Sequence, residues 1–295
     1  EEEIVSPETT FPCYGGYPPL GGRPACHGHY SPVSIQYALT TSCNSYFSYG
    51  LNNMLNNRTK YSNTREAFDV WRDHMVNMGF GYRLGIDLPS EKRGFIPNSK
   101  FYTNVLNTER WHAHNIISIS IGQGEILTTP LQIANLGATI ANRGYYHTPH
   151  VVSEVKNGQL DPSLTKRHDT GISRQFFELT VEGMADAVTI GTCRGINLEP
   201  FVEVCGKTGT AENPHGDSHS IFMGFAPKDN PEVAIAVVVE NGRYGATNAV
   251  PIARLMLQKY FRGEIPESDK WLEQTIMTRE ILPYVYTRNI PSGSI

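Results

Sequence analysis

The chain has 295 residues, 39% of them apolar and 18% charged, enough for one large or two ordinary domains, and this composition excludes disorder. A formal charge of −4, from 25 basic and 29 acidic residues, leaves no basic footprint and argues against nucleic acid as a partner. The longest fully apolar run, VAIAVVV at 233–239, is far short of the roughly 20 residues a membrane helix needs, so nothing here is expected to span a bilayer.

The sequence opens at EEEIVSP without a methionine, and an N-terminal segment is expected to precede it. Ser31-Pro32 then reads as a helix start, because proline at the first helical position loses no needed N–H; Ile35, Ala38 and Leu39 follow at helical spacing, which puts Ser42 where this helix ends or turns. A second helix fits 64–79, with Phe68, Trp71, Met75 and Met78 as its core positions and Gly79 and Gly81 closing it. The charge run Glu91-Lys92-Arg93 reads as exposed, and Gln123-Gly124 as a turn. Thr129-Pro130 opens a third helix that runs to Gly144, and Ser173 caps a fourth through Val188. Alternation, β-branched residues and turn signals mark strands at 147–156, 202–212, 219–226 and 232–240, with His215 and His219 in a hairpin loop. Short links between the last three favour an antiparallel meander, so the fold class expected is α/β of the α+β kind, with helices packed on one sheet. Residues 1–262 form the expected domain and 263–295 a peripheral tail.

The densest chemical signal is CGKTGTAE at 205–212. A lysine on a strand, then a hydroxyl residue, a glycine and a second hydroxyl make an edge that a ligand backbone can approach closely. Lys207 supplies positive charge there, and Thr208 and Thr210 supply hydrogen bonds for an anionic group. An ordinary amphipathic strand is the plainer alternative for a lone K-T-G. Upstream, TTSCNSYF at 40–47 contains an S-x-N that begins at Ser42. The order S-x-N then K-T-G is that of the serine acyl-transferases that bind penicillin.

Beyond these two motifs, GFGYRLGIDLPSEKRG, ISIGQGEILTTPLQIANLGATIANRG, GKTGTAENP and SIFMGFAP follow in order. On these stretches the sequence resembles the transpeptidase domain of class B penicillin-binding proteins, most closely the cell-elongation type, over nearly its whole length. The resemblance implies the penicillin-binding transpeptidase fold, which serine β-lactamases share: a mostly antiparallel sheet with helices on both faces. It also implies D,D-transpeptidation, in which a serine attacks the D-Ala-D-Ala carbonyl of a peptidoglycan stem peptide and the acyl group passes to an amine of a second stem. By the same resemblance Ser42 helps shuttle a proton, Asn44 holds the substrate's peptide amide, and Lys207 adds positive potential. Thr208 and Thr210 contact the substrate carboxylate, Gly209 admits the substrate, and the Thr210 N–H is half of the oxyanion hole, where losing one donor costs about 10²- to 10³-fold in rate. Ser42 is therefore not the expected nucleophile.

The nucleophile belongs in an S-x-x-K on a helix, where the spacing puts both side chains on one face. Of the two such strings, Ser153–Lys156 falls in an expected strand and Ser163–Lys166 in a polar loop, and both follow the S-x-N, the reverse of the family order. The chain is accordingly expected to start just downstream of its own catalytic motif. The resemblance further implies a periplasmic domain on an inner-membrane anchor, stem peptides and β-lactams as ligands, and a membrane glycan polymerase and elongation scaffold proteins as partners. A non-catalytic stem-peptide or β-lactam-binding module, a D,D-carboxypeptidase and a β-lactamase are the rival readings.

A cysteine fills the variable place of S-x-N. Cys13, Cys26 and Cys43, with His29 preferred over His27, form a candidate structural zinc set, and the glycine- and proline-rich stretch between Cys13 and Cys26 has little apolar material to order itself. A Cys13–Cys26 disulfide with Cys43 as a buried thiol is the alternative. The resemblance implies that some members of the family carry zinc beside the active site, which favours the metal. No cofactor is expected for catalysis.

Overall fold

The computed structural model describes residues 1–281; the remainder of the expected tail, 282–295, lies outside the described residues. The chain divides into two compact units, Glu1–Gly183 and a second that begins at Met184.

In the first unit, α1 (Ile35–Thr41) starts three residues later than Pro32 suggested. Val33 bridges Phe11 through both backbone hydrogen bonds and so must be extended, which leaves Ser34 to cap the helix by accepting the Tyr37 N–H. Ser42 closes α1, and α2 (Asn44–Leu55) follows at once; the sequence reading missed α2 because Gly50 and three asparagines dilute its apolar face. Next come α3 (Thr64–Asn77), capped by Asn63, and α4 (Ser99–Val105), then a 3₁₀ stretch Ala113–Ile121. After it, α5 (Pro130–Ala141) opens with a capping box between Thr129 and Gln132. Leu51 and Leu55 of α2, Phe68 of α3, Tyr102 of α4 and Trp111 bury one core, with Phe68 edge-on to Tyr102 and Trp111 at 5.4 and 5.7 Å. Met75 and Met78, expected in the core, are only half-buried. The run 91–93 is also more than a charged surface, since Glu91 accepts the N–H groups of Leu84, Gly85 and Ile86 and so shapes that loop.

The strand expected at 147–156 shrinks to β1 (Tyr145–His147), antiparallel to β2 (Arg167–Asp169), with the four-residue α6 (Pro162–Thr165) between them. The cause lies in the backbone donors. Pro149 has none, and the N–H groups of Val151 and Val152 go to the Asp87 carboxylate at 2.8–3.1 Å, not to a neighbouring strand.

Helix α7 (Arg174–Thr189) carries the chain out of the first unit. The second unit holds the expected meander, β3 (Cys205–Ala211), β4 (His219–Ala226) and β5 (Val233–Val239), antiparallel throughout and in the order β3-β4-β5. His219 is thus in a strand, not in the loop before it, and its Nδ1 accepts the Asn241 N–H. Helix α8 (Ala249–Arg262) lays Val250, Ala253 and Leu257 on Phe222, Ile235 and Val237. Each buried valine, leucine, isoleucine or phenylalanine among them contributes roughly 1.5–3 kcal/mol. In the stretch 263–281, α9 (Lys270–Thr278) is tied to α8 through Asp269, which accepts from Arg254 at 2.5 Å and Gln258 at 2.6 Å. The mixed helical and antiparallel fold class expected from the sequence stands. No helix among the described residues is long and apolar enough to cross a membrane.

One ionic contact near the start of the first unit gives a pH test. Burial pushes the Glu2 carboxyl up, but hydrogen bonds from Lys60, Tyr61 and His74 outweigh it and hold its pKa at about 2 against 4.5. A depressed carboxyl adds stability above its unfolded pKa and loses it as pH falls through the folded one. Glu2→Gln is therefore expected to cost about 1–2 kcal/mol at pH 7, with the gap to wild type narrowing between pH 4.5 and 2; urea unfolding across that range measures it.

Candidate active site

The residues singled out in the sequence fall into two sets, one in each unit. In the first, Ser42 occupies left-handed backbone at φ 57°, ψ 49°, and its N–H returns to the Ala38 carbonyl to end α1. Cys43, fully buried, begins α2 by accepting the Tyr46 N–H on its sulfur. The turn is tied to the loop that carries Cys26 by four contacts. Asn44 Nδ2 donates to the Ala25 carbonyl at 2.6 Å, Ser45 N–H donates to Cys26 Sγ at 3.3 Å, Ser45 Oγ donates to the Pro12 carbonyl at 2.9 Å, and Cys26 and Cys43 Sγ lie 4.0 Å apart. The Asn44 amide, expected to face a substrate, thus also holds the neighbouring loop.

Cys13, Cys26, His29 and Cys43 bring one ligand atom each to within 4.8 Å of one another, and none of the five cysteines is disulfide-bonded. Between the two candidate histidines, the geometry selects His29. Its Nδ1 lies 2.9 Å from the Tyr30 carbonyl, which fixes the proton on Nδ1 and leaves Nε2 with a lone pair, and that Nε2 is buried with no hydrogen-bond partner. The hydrogen bond with Cys43 lowers the pKa of Cys26 to about 5, with help from the Ser45 N–H and against the effect of burial, and the same pairing drives Cys43 up. Burial pushes the Cys13 thiol up as well. Three thiols and an orphaned imidazole nitrogen converging on one point are the donors of a Cys3His site.

In the second unit, Lys207, Thr208, Gly209 and Thr210 lie on β3, the edge strand of the meander, opposite Met223, Phe222, Ile221 and Ser220 of β4. Burial lowers the Lys207 pKa, and its Nζ donates to the Thr208 carbonyl at 2.9 Å. A Cβ on Gly209 would press on Ile221 at 3.3 Å, so strand pairing alone already calls for a small residue there. Sequence reasoning overlooked two neighbours. Thr208 Oγ1 donates to Thr192 Oγ1 at 2.8 Å, and Gly245 donates its N–H to Thr210 Oγ1 at 3.4 Å. Neither contact has a sequence signal, because the partners are 16 and 35 residues apart with no shared period.

The two S-x-x-K strings are poor sites for a nucleophile. Ser153 and Lys156 are exposed in irregular chain, not in the strand expected for them. Ser163 and Lys166 are exposed as well, although a single helical turn, α6, replaces the loop expected there.

Comparison with known proteins fits this arrangement. The family model for the penicillin-binding protein transpeptidase domain matches residues 1–258. The chain belongs to that family. It is 32% identical to the peptidoglycan D,D-transpeptidase MrdA of Acinetobacter baumannii over 285 residues, covering 89% of this chain and 39% of the relative. With MrdA of Haemophilus influenzae the identity is 27%, covering 92% and 43%. The chain thus spans about two fifths of the length of these relatives. Among solved structures, PBP2 of Pseudomonas aeruginosa in complex with WCK 5153 superposes with a TM-score of 0.74 at 26% identity, covering 90% of this chain and 59% of that one. PBP2 of Helicobacter pylori in complex with MreC gives 0.68 at 23% identity, covering 88% and 46%, a likeness of fold. These matches are to PBP2-type, class B transpeptidase domains, as the sequence motifs implied.

The loop around Gly245 lies on β3 of the transpeptidase domain. A Cβ at Gly245 would stand 2.6 Å from the Ile221 carbonyl oxygen, 2.7 Å from that of Gly209 and 3.1 Å from Thr208 Cβ. Gly245→Ala must push this loop off the strand and is expected to destabilise the protein by about 1–3 kcal/mol in chemical denaturation.

Proposed function

We propose that this chain is the substrate-groove portion of a peptidoglycan D,D-transpeptidase of the cell-elongation type. The observation that carries the reading is the ordered pair of motifs: an S-x-N held rigidly between two helices and a K-T-G-T on an edge strand, in a chain that matches the transpeptidase family from residue 1 to 258. Ser42 relays a proton toward the leaving amine. Asn44 receives the stem peptide's amide, Lys207 supplies positive potential, and the β3 segment Thr208–Gly209–Thr210 binds the peptide's carboxylate end, with the Thr210 N–H stabilising the oxyanion of the tetrahedral intermediate. A lysine whose pKa is lowered by burial suits proton-relay chemistry near neutral pH better than an exposed one.

The attacking serine is none of Ser42, Ser153 and Ser163. Ser42 is a helix-ending residue, and the other two stand beside exposed lysines, with nothing to desolvate the base. The same exposure is what favours the rival reading, a stem-peptide or β-lactam-binding module that forms no acyl intermediate. The substrate sets the compartment, outside the cytoplasmic membrane. A glycan polymerase and elongation scaffold proteins are the proposed partners, in keeping with structural neighbours solved in a peptidoglycan synthase complex and with MreC. The 295-residue chain is expected to take no covalent penicillin adduct, because none of these serines stands beside a buried base. Intact-mass spectrometry after incubation decides, and a stoichiometric adduct on the 295-residue chain would sink this assignment of roles.

The cysteine loop is a structural zinc site in this reading. Cys13, Cys26 and Cys43 supply thiolates and His29 supplies Nε2; the support is the orphaned Nε2 and the 4.8 Å convergence of four donors. A metal there cross-links the loop to the turn of S-x-N and takes no part in bond making. Apparent binding energies of roughly 10–16 kcal/mol for structural zinc in small peptides are ample to order a loop this poor in apolar residues. About one zinc per chain by elemental analysis is expected, with a lower melting temperature after chelation. Absence of zinc together with a mapped Cys13–Cys26 disulfide would overturn it.

A further inference from the structure

The loop 13–26 closes on itself through its own backbone. Gly16 bridges Ala25, Tyr17 N–H donates to the Pro24 carbonyl at 3.1 Å, and Cys26 N–H donates to the Gly15 carbonyl at 2.9 Å. This closure does not place the loop against Cys43, which stands between α1 and α2. Ser45, fully buried in the first turn of α2, reaches both ends of the loop. Its N–H donates to Cys26 Sγ at 3.3 Å at one end, and its Oγ donates to the Pro12 carbonyl at 2.9 Å, next to Cys13, at the other. A helix leaves its first N–H groups without an intrahelical partner, and in α2 two of these, from Ser45 and Tyr46, go to the sulfurs of Cys26 and Cys43. Asn44 also reaches the loop, at the Ala25 carbonyl, but its amide carries a proposed role in the substrate groove. Ser45 carries none, and its single hydroxyl proton goes to Pro12.

We propose that Ser45 is a positioning residue for the cysteine site: through its N–H on Cys26 and its hydroxyl on the Pro12 carbonyl it docks both ends of the loop on α2, so that Cys13 and Cys26 stand beside Cys43 before any metal arrives. Thiols bind a metal as thiolates, and three thiolates this close repel one another. A site whose chain segments are already held together loses less on binding than one that must assemble them. In the run Ser42–Cys43–Asn44–Ser45, groove residues and cysteine-site residues therefore alternate, and Ser45 is the tie between the loop and the helix that displays the S-x-N. The metal part of this inference rests on the zinc reading; the docking part does not.

Two measurements on the 295-residue chain test it. In the first, zinc affinity is read by competition with a chromophoric chelator. Ser45→Ala is expected to bind zinc about 10- to 100-fold more weakly than wild type, the usual loss when an outer partner of a metal site is removed. Ser48→Ala is the control, since it also removes a fully buried hydroxyl from α2, one bonded to Ser120 Oγ at 3.0 Å instead of to the loop, and it is expected to leave the affinity unchanged. Equal losses in the two variants, or none in Ser45→Ala, overturn the positioning role. The second measurement uses no metal. In Cys26→Ser the thiols of Cys13 and Cys43, whose sulfurs lie within 4.8 Å of each other, remain as a pair. Equilibration with glutathione turns these two thiols and one glutathione disulfide into the protein disulfide and two glutathione thiols, and the equilibrium constant reads how firmly the Cys13 segment is held to α2. Adding Ser45→Ala is expected to lower that constant about 5- to 10-fold, the worth of one hydrogen bond, and adding Ser48→Ala is expected to leave it alone. A constant that ignores Ser45→Ala, or no disulfide in Cys26→Ser at all, overturns the proposal. If wild type binds no zinc, the zinc reading fails instead, and the disulfide equilibrium alone then decides whether Ser45 docks the loop.

Discussion

Ser42 turns the chain through left-handed backbone between two helices, and the candidate residues of the first unit depend on that turn staying where it is. The conformation costs a non-glycine residue on the order of 1 kcal/mol, because its Cβ crowds the following carbonyl. Left alone, two short helices of 7 and 12 residues would relieve it by fraying. Several small terms oppose this. The N–H groups of Ser42 and Cys43 both return to the Ala38 carbonyl, Cys43 caps α2, and Asn44 and Ser45 bond back to Ala25, Cys26 and Pro12. With contributions of about 1 kcal/mol each, they exceed the strain several-fold. The turn therefore displays the Ser42 hydroxyl and the Asn44 amide from fixed points, the kind of preorganisation that proton relay and amide recognition require.

The candidate residues of the second unit are fixed by a different means. Strand β3 is registered residue by residue against β4, so a shift of one position would turn Thr208 and Thr210 to the other face and Lys207 with them. What pairing leaves loose is the side-chain rotors, and here neutral groups act: the Thr192 hydroxyl on Thr208 and the Gly245 N–H on Thr210. Neutral partners suit a strand proposed to receive an anion, since a carboxylate in their place would repel such a ligand and compete for Lys207.

How much of this was legible in the sequence follows from where each feature's cause lies. The meander at 205–239 was legible because alternation and short links are local, and the two motifs because their residue types carry chemistry whatever surrounds them. The strand expected at 147–156 failed for a reason no local pattern holds. Val151, Val152 and Val155 look like strand residues but are 67%, 39% and 47% exposed, and the donors of the first two go to Asp87, more than 60 residues away. Likewise α2 was hidden because its helical signal comes from the cap at Cys43 and from burial of Tyr46, Leu51 and Leu55, not from a clean apolar stripe. Spacing favours His29 over His27 only by a longer reach back from Cys26; the Tyr30 carbonyl adds a physical reason by fixing one tautomer of His29.

The odd number of cysteines also becomes intelligible once they are placed. Cys193 and Cys205 are both fully buried, and burial drives the Cys193 thiol toward its protonated, unreactive form. Cys13, Cys26 and Cys43 are different. They stand within one another's reach, Cys26 is only half-buried, and its sulfur accepts an N–H that favours the thiolate. Outside the cytoplasm, such a group is poised for thiol–disulfide exchange unless something occupies all three sulfurs at once. In the proposed zinc site a divalent metal would do so, with Cys13, Cys26, Cys43 and the His29 Nε2 as the residues that would hold it. An ion bound there would therefore keep Cys43 from forming a disulfide that drags on Ser42 and Asn44, whereas the candidate residues on β3, held by strand pairing and hydroxyls, have no such exposure to redox chemistry.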